Sequence, residues 1–217
     1  MLTNAQLQSN VLAELGWEPS LDAGHIGVSV HEGIVTLNGH VASFWQKFAA
    51  ENAASRVKGV KAVAEEIEVR LPFDLKRGDE EIAAAALQRL SWDASVPRDA
   101  IKVRVENGQV TLNGKVNWHY QKEAAGHCVR NLHGVVSVFN HIEITPTVNA
   151  TNVSEDITRA LHRSWYYDAN TIKVSAKGGA ITLTGTVTTW NARDLAGTTA
   201  WSAPGATSVL NDIQVLS

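Results

Sequence analysis

The chain has 217 residues, 44% hydrophobic and 19% charged, with a formal net charge of −3 at pH 7. This composition fits a globular protein of one to three domains. It contains no run of eighteen apolar residues, so no transmembrane segment is expected, and it has no basic field to attract nucleic acid. The charge is uneven: residues 1–75 carry 5 basic and 9 acidic side chains (net −4), residues 76–147 carry 9 and 8 (net +1), and residues 148–217 carry 5 and 5 (net 0). Residues 1–6 show neither a basic segment nor an apolar one. The chain as written is therefore expected to be cytoplasmic, or periplasmic if it is a processed form. Cys128 is the sole cysteine, which excludes an intrachain disulfide.

A first helix is read from Leu7, Val11, Leu12 and Leu15, whose spacing marks one buried stripe. Two short alternating strands follow, through Ile26, Val28 and Val30 and through Val35 and Leu37, joined by a tight turn at Glu32-Gly33. A second helix over 43–58 places Ala50 and Ala54 toward the core, and a strand over 62–69 closes the unit. The same order then recurs. Ile82, Ala86, Leu87 and Leu90 begin a second copy, with strands through Ile101 and Val110, a turn at Asn107-Gly108, a helix over 118–133 carrying Ala125 and Val129, and a strand over 136–144. Val153, Ile157, Ala160 and Leu161 begin a third, with strands through Ile172 and Ile181, a turn at Gly178-Gly179, a helix over 190–203 carrying Ala196 and Ala200, and a strand over 207–215. Ser154-Glu155-Asp156 supplies an acidic first turn, and Pro204 is expected to end the last helix early.

The repeat is anchored by Val35-Thr36-Leu37-Asn38-Gly39, Val110-Thr111-Leu112-Asn113-Gly114 and Ile181-Thr182-Leu183-Thr184-Gly185. These glycines are spaced by 75 and then 71 residues, and Gly59, Gly134 and Gly205 each lie twenty further on. Trp17 and Trp92 precede Ile26 and Ile101 by nine residues, and Trp165 precedes Ile172 by seven, so the length change is expected in that loop. The tryptophans are expected to pack over the core edge, with a recurrent binding pocket as the alternative. The fold class is α+β: three tandem αββαβ modules at 1–71, 76–146 and 150–217, each a three-stranded mixed sheet with two helices on one face. Lys102, Arg104 and Lys173 point from the other face. The strand–helix–strand connection should be right-handed and make the last strand parallel to the second. Proline-bearing linkers at 71–74 and 145–149 separate the modules.

The unit order, the V-T-L-x-G-x-V strand and the closing run Gly134-Val135-Val136-Ser137-Val138-Phe139-Asn140-His141-Ile142 resemble the BON domain. The first copy departs at Glu66, and the third at Ala206. The resemblance implies a bacterial, non-enzymatic protein of osmotic or envelope stress that binds phospholipid or other envelope components. It implies no cofactor. The alternative is an assembly or chaperone-like module that forms a homo-oligomer or holds client proteins. Gly39, Gly114 and Gly185 are read as structural residues.

Four further clusters carry candidate chemistry. Phe44, Trp45 and Phe48, then Trp118 and Tyr120, then Trp190 open the second helix of the three copies. Lys47, Lys122 and Arg193 follow at one shared offset, and an aromatic group beside a cation suits a headgroup interface or a protein seam, against the alternative of packing between neighbouring copies of the module in one chain. His119, Glu123 and His127, four apart on one helix, have the spacing of a metal site against the alternative of a solvated polar face. Cys128 aligns with Ala53 and Thr199 and is read as a small buried residue rather than a nucleophile.

Overall fold

The computed structural model describes residues 2–146, 152–163 and 171–216. Among these residues six α-helices and nine strands follow in chain order: α1 (Asn4–Trp17), β1 (Ile26–His31), β2 (Ile34–Val41), α2 (Phe44–Arg56), β3 (Ala62–Val69), α3 (Asp79–Trp92), β4 (Ile101–Glu106), β5 (Gln109–Val116), α4 (His119–Arg130), β6 (Ser137–Ile144), α5 (Val153–His162), β7 (Ile172–Lys177), β8 (Ala180–Val187), α6 (Trp190–Trp201) and β9 (Ser208–Val215). The strands form three three-stranded sheets, ordered β1-β2-β3, β4-β5-β6 and β7-β8-β9. By density of contact the described chain forms two compact units. The first joins Met1–Asp93, Val103–Leu112 and Gly126–Asn140, and the second joins Ala94–Lys102, Asn113–Ala125 and His141–Ser217.

In the first unit, β1 runs antiparallel to β2 with Ile26 opposite Gly39, and β2 runs parallel to β3 with Val35 beside Val63. Glu32 (φ 50) and Gly33 (φ 85) both take the left-handed conformation, which matches the twist of the flanking strands. One core gathers Leu7, Val11 and Leu15 of α1, alternate residues of β1 and β2, Ala50, Ala53 and Ala54 of α2, and Ile67 of β3. Alanines bring α2 close to the sheet. The larger α1 residues each add about 1.5–3 kcal/mol on burial. α1 starts at a reciprocal cap, where Thr3 accepts the Gln6 N–H and Gln6 accepts the Thr3 N–H.

The second unit repeats this arrangement in β7, β8 and β9, with Ile172 opposite Gly185 and Ile181 beside Val209. Its core joins Val153, Ile157 and Leu161 to Ala192, Ala196 and Ala200 and to the strand residues Ile181, Leu183 and Ile213. The corresponding positions of the middle repeat, among them Ile82, Ala86, Leu90, Leu112, Ala125, Val129 and Ile142, are also buried. Lys102, Arg104 and Lys173 are exposed.

Four sequence expectations change. Leu12 and Leu87 leave the buried stripe and are 45% and 54% exposed, because each sits one residue, or about 100°, past the core line. Trp17 and Trp92 do not pack on the core edge: they are 84% and 83% exposed. Each lies two residues past the last core leucine, about 200° around the helix. Trp165 lies outside the described residues. The modules also contain no internal length change. The first-helix stripe stands 32, 28 and 24 residues before Gly39, Gly114 and Gly185 alike, as in Leu7, Ile82 and Val153. Arg163 therefore holds the position of Trp17 and Trp92 in the third repeat, and the four-residue difference falls in the linkers. Finally, Pro204 does not shorten α6, which ends four residues before Gly205 just as α4 ends four before Gly134.

Candidate functional site

The feature most at odds with a protein buried for its own stability is the C-terminal turn of the first helix. Trp17 and Trp92 hold one repeat position, with the exposed Leu12 and Leu87 five residues before each. Large apolar side chains are thus shown to water at the same place in two copies. Beside Trp17 an open groove of about 550 Å³ is lined by Asn10, Ala13, Glu14, Trp17, Arg56, Val57 and Lys58. Arg56 bridges α2 to the end of α1: its Nη2 lies 3.1 Å from Glu14 Oε1 and 3.4 Å from Glu18 Oε2. The Ser20 hydroxyl donates to Glu18 at 2.8 Å. That bond, followed by the Arg56 guanidinium, holds the Glu18 carboxyl below its ordinary range. Lys58 has no ion pair or hydrogen bond among the described residues. Sequence reading missed this groove, because Arg56 and Lys58 are distant from Trp17 in the chain and no motif joins them.

The start of the second helix is less open than its composition implies. Ser43 caps α2 by accepting the Gln46 N–H at 3.3 Å, and Thr189 caps α6 by accepting the Ala192 N–H at 3.1 Å. Gln121 accepts the Trp118 N–H at 3.0 Å. Phe44, Trp45, Phe48, Trp118 and Trp190 are all half-buried, and only Tyr120 is exposed. Trp45 and Phe48 lie 5.8 Å apart, ring to ring. Phe48 also meets the edge of His127 at 6.5 Å and lies under the Arg130 guanidinium at 4.6 Å. These aromatic rings are thus spent largely on contacts within the chain.

Lys47 and Arg193 are tethers. Lys47 Nζ donates to the Ile67 carbonyl at 2.8 Å and pairs with Glu65 at 2.8 Å. In the third repeat, Arg193 Nε donates to the Ile213 carbonyl at 3.0 Å and Nη2 to the Asn211 carbonyl at 2.5 Å, with the guanidinium 5.2 Å over the Trp190 ring. Ile67 and Ile213 stand 28 residues past Gly39 and Gly185, so each cation ties the second helix to the same point of the last strand. Lys122, at the same offset, is half-buried.

The remaining candidates separate. His119 stacks on Trp201 at 3.9 Å and faces Glu123 at 3.8 Å, and burial lowers its pKa. His127 is exposed beside Phe48. Among the described residues no three His, Cys, Asp or Glu side chains gather as a metal site. The half-buried Cys128 thiol donates to Asp93 Oδ2 at 3.4 Å. Burial first, then this bond, pushes its pKa up to about 11. Gly39, Gly114 and Gly185 admit no side chain: a Cβ would lie 2.0 Å from the His25 carbonyl oxygen, 2.1 Å from that of Ala100 and 1.9 Å from that of Thr171.

Comparison with known proteins agrees with the repeat. The model of the BON domain matches residues 3–70, 78–146 and 149–217. The chain is similar to osmotically-inducible protein Y of Escherichia coli (strain K12), at 28% identity over 149 residues that cover 65% of this chain and 73% of that protein. It is also similar to a 21 kDa hemolysin of Actinobacillus pleuropneumoniae, at 29% identity over 149 residues, 64% of this chain and 76% of that protein. Among solved structures, CdsD, a structural protein of the type III secretion system of Chlamydia trachomatis, aligns with 96% of this chain and 91% of its own at 16% identity. Its TM-score of 0.27 carries no weight for fold or function. With three matches spanning nearly all its length, and three αββαβ units to receive them, the chain belongs to the BON domain family as three tandem copies.

Proposed function

We propose that this chain is an osmotic-stress protein that binds phospholipid surfaces of the bacterial envelope, with Trp17 and Trp92 as its membrane-facing side chains. The observation that carries this reading is their exposure, 84% and 83%, at one repeated position. Tryptophan settles at the boundary of headgroup and acyl chain, where its ring is covered and its N–H stays wet. The similarity to osmotically-inducible protein Y supports the stress setting. No helix among the described residues is long and apolar enough to cross a membrane, so the contact is one of surface attachment. Cosedimentation with lipid vesicles tests this: the parent chain should pellet with vesicles and the Trp17→Ala/Trp92→Ala variant should stay in solution. A parent chain that ignores vesicles of every headgroup class sinks the reading.

A further inference from the structure

Two histidines meet on the face of the β1-β2-β3 sheet that turns away from the core. β1 and β2 pair antiparallel with Ile26 opposite Gly39, so His25 and His40, one step further along each chain, stand opposite one another. Ile26 and Val41 are buried, and alternation therefore turns both imidazoles to the outer face. Side chains directly opposite across such a pair start from Cβ atoms about 4.5–5.5 Å apart. The two rings stack with centroids 4.7 Å apart and planes 19° from parallel. His25 is exposed and His40 half-buried. Glu68, the partner of His40 in the β2–β3 register, pairs with Arg70 at 2.7 Å; Arg70 first, and His40 after it, hold the Glu68 carboxyl below its ordinary range. The corresponding pairs are Ala100 and Lys115 in the second repeat and Thr171 and Thr186 in the third. The hairpin itself therefore does not require imidazoles at this point.

We infer that His25 and His40 chelate a divalent transition-metal ion, Cu²⁺ in preference to Ni²⁺ or Zn²⁺, with one nitrogen from each ring and water in the remaining positions. A metal about 2.1 Å from each nitrogen needs the two nitrogens no more than about 4 Å apart. Rings 4.7 Å apart reach that separation by a small side-chain rotation, and the exposed His25 has solvent to turn into. The ligand count selects the ion. Structural zinc sites take four protein ligands and catalytic ones three, and among the described residues no three His, Cys, Asp or Glu gather. Two neighbouring imidazoles with open positions suit the tetragonal geometry of Cu²⁺, which also stands highest among these ions in intrinsic affinity for nitrogen ligands. The charge of the first repeat, net −4 over residues 1–75, favours a cation. The bound ion would tie β1 to β2 at the end of the pair remote from the Glu32-Gly33 turn.

Titration of the full chain with Cu²⁺ against a competing chelator tests the inference, with electron paramagnetic resonance to count the nitrogens on the metal. One tight equivalent per chain is expected, bound by two imidazole nitrogens, and Ni²⁺ and Zn²⁺ should bind there more weakly. His25→Thr and His40→Thr should each weaken the tight binding about a hundredfold, because the second ligand of a chelate acts at a high effective concentration. The double variant should bind no more weakly than either single one, since one imidazole alone does not chelate. The other six of the eight histidines remain in every variant and supply the background. Circular dichroism checks that the threonine variants, which copy the third repeat, fold; the nitrogen count on the parent chain stands without them. A single bound nitrogen, Zn²⁺ binding tighter than Cu²⁺, or single variants within about threefold of the parent overturns the inference. The site is independent of the membrane reading: Trp17→Ala/Trp92→Ala should leave Cu²⁺ binding unchanged, and the histidine variants should leave vesicle binding unchanged.

Discussion

Replacing Trp17 with Ala removes an indole that touches little of its own protein, so its cost should appear in membrane partition and not in folding. A tryptophan covers about 150–250 Å² when fully buried. Trp17 shows 84% of its surface, and if half of that settles at headgroup depth, roughly 80 Å² leaves water, about 2 kcal/mol at ~25 cal/mol per Å². That corresponds to roughly a thirtyfold fall in partition coefficient for Trp17→Ala and a similar fall for Trp92→Ala. Both anchors belong to one chain, so once the first is seated the second binds at an effective concentration set by the linker. The double variant should therefore fall toward the product of the two, roughly a thousandfold. Cosedimentation over a series of vesicle concentrations measures this, and urea unfolding should show stability changed by no more than about 0.5 kcal/mol. A double variant that partitions within twofold of the parent, or one that is strongly destabilised, would refute the reasoning.

Further predictions concern the interior. Gly39→Ala forces a Cβ to within 2.0 Å of the His25 carbonyl at φ +113 and should cost about 2–4 kcal/mol in urea unfolding; an unchanged midpoint would show that the hairpin relaxes freely. Lys47→Met removes the tie to the Ile67 carbonyl and Glu65 and should cost about 1 kcal/mol, discounted for partial exposure. Cys128, with its pKa up to about 11, should alkylate slowly with iodoacetamide at neutral pH, and Asp93→Asn should speed the reaction; a rate equal to that of a free thiol would contradict the assignment. His119 has a folded pKa below its unfolded value, so the unfolded chain takes up its proton first. Its neutral stacked form therefore supports stability fully above the ordinary histidine range, and that support falls away as pH drops through the folded pKa. His119→Phe should flatten this stretch of the pH–stability curve.

The elements of each module were legible in the sequence because they rest on local physics. Alternation places Val35 and Leu37 on one face, Asn107-Gly108 makes a turn, and small residues such as Ala50 and Ala54 let a helix approach a sheet, wherever the segment lies. The same arithmetic could have shown that Trp17 and Trp92 face away: two residues past Leu15 and Leu90 is about 200° of helix. Their mere recurrence pointed instead to packing, since a repeated position is equally a core position or a contact position. Tertiary structure decided the rest, because it depends on which distant groups meet. Lys47 and Arg193 look like free surface cations until the last strand brings the Ile67 and Ile213 carbonyls beneath them. Phe48 looks exposed until Arg130 and His127 arrive from more than seventy residues away. Arg56 and Lys58 line a groove with Trp17 only because α2 returns beside the end of α1, where Arg56 meets Glu14 and Glu18. A sequence fixes periodicity and turn chemistry within a few residues, whereas the charge balance of a site is set by long-range packing that brings unlike segments into one small volume.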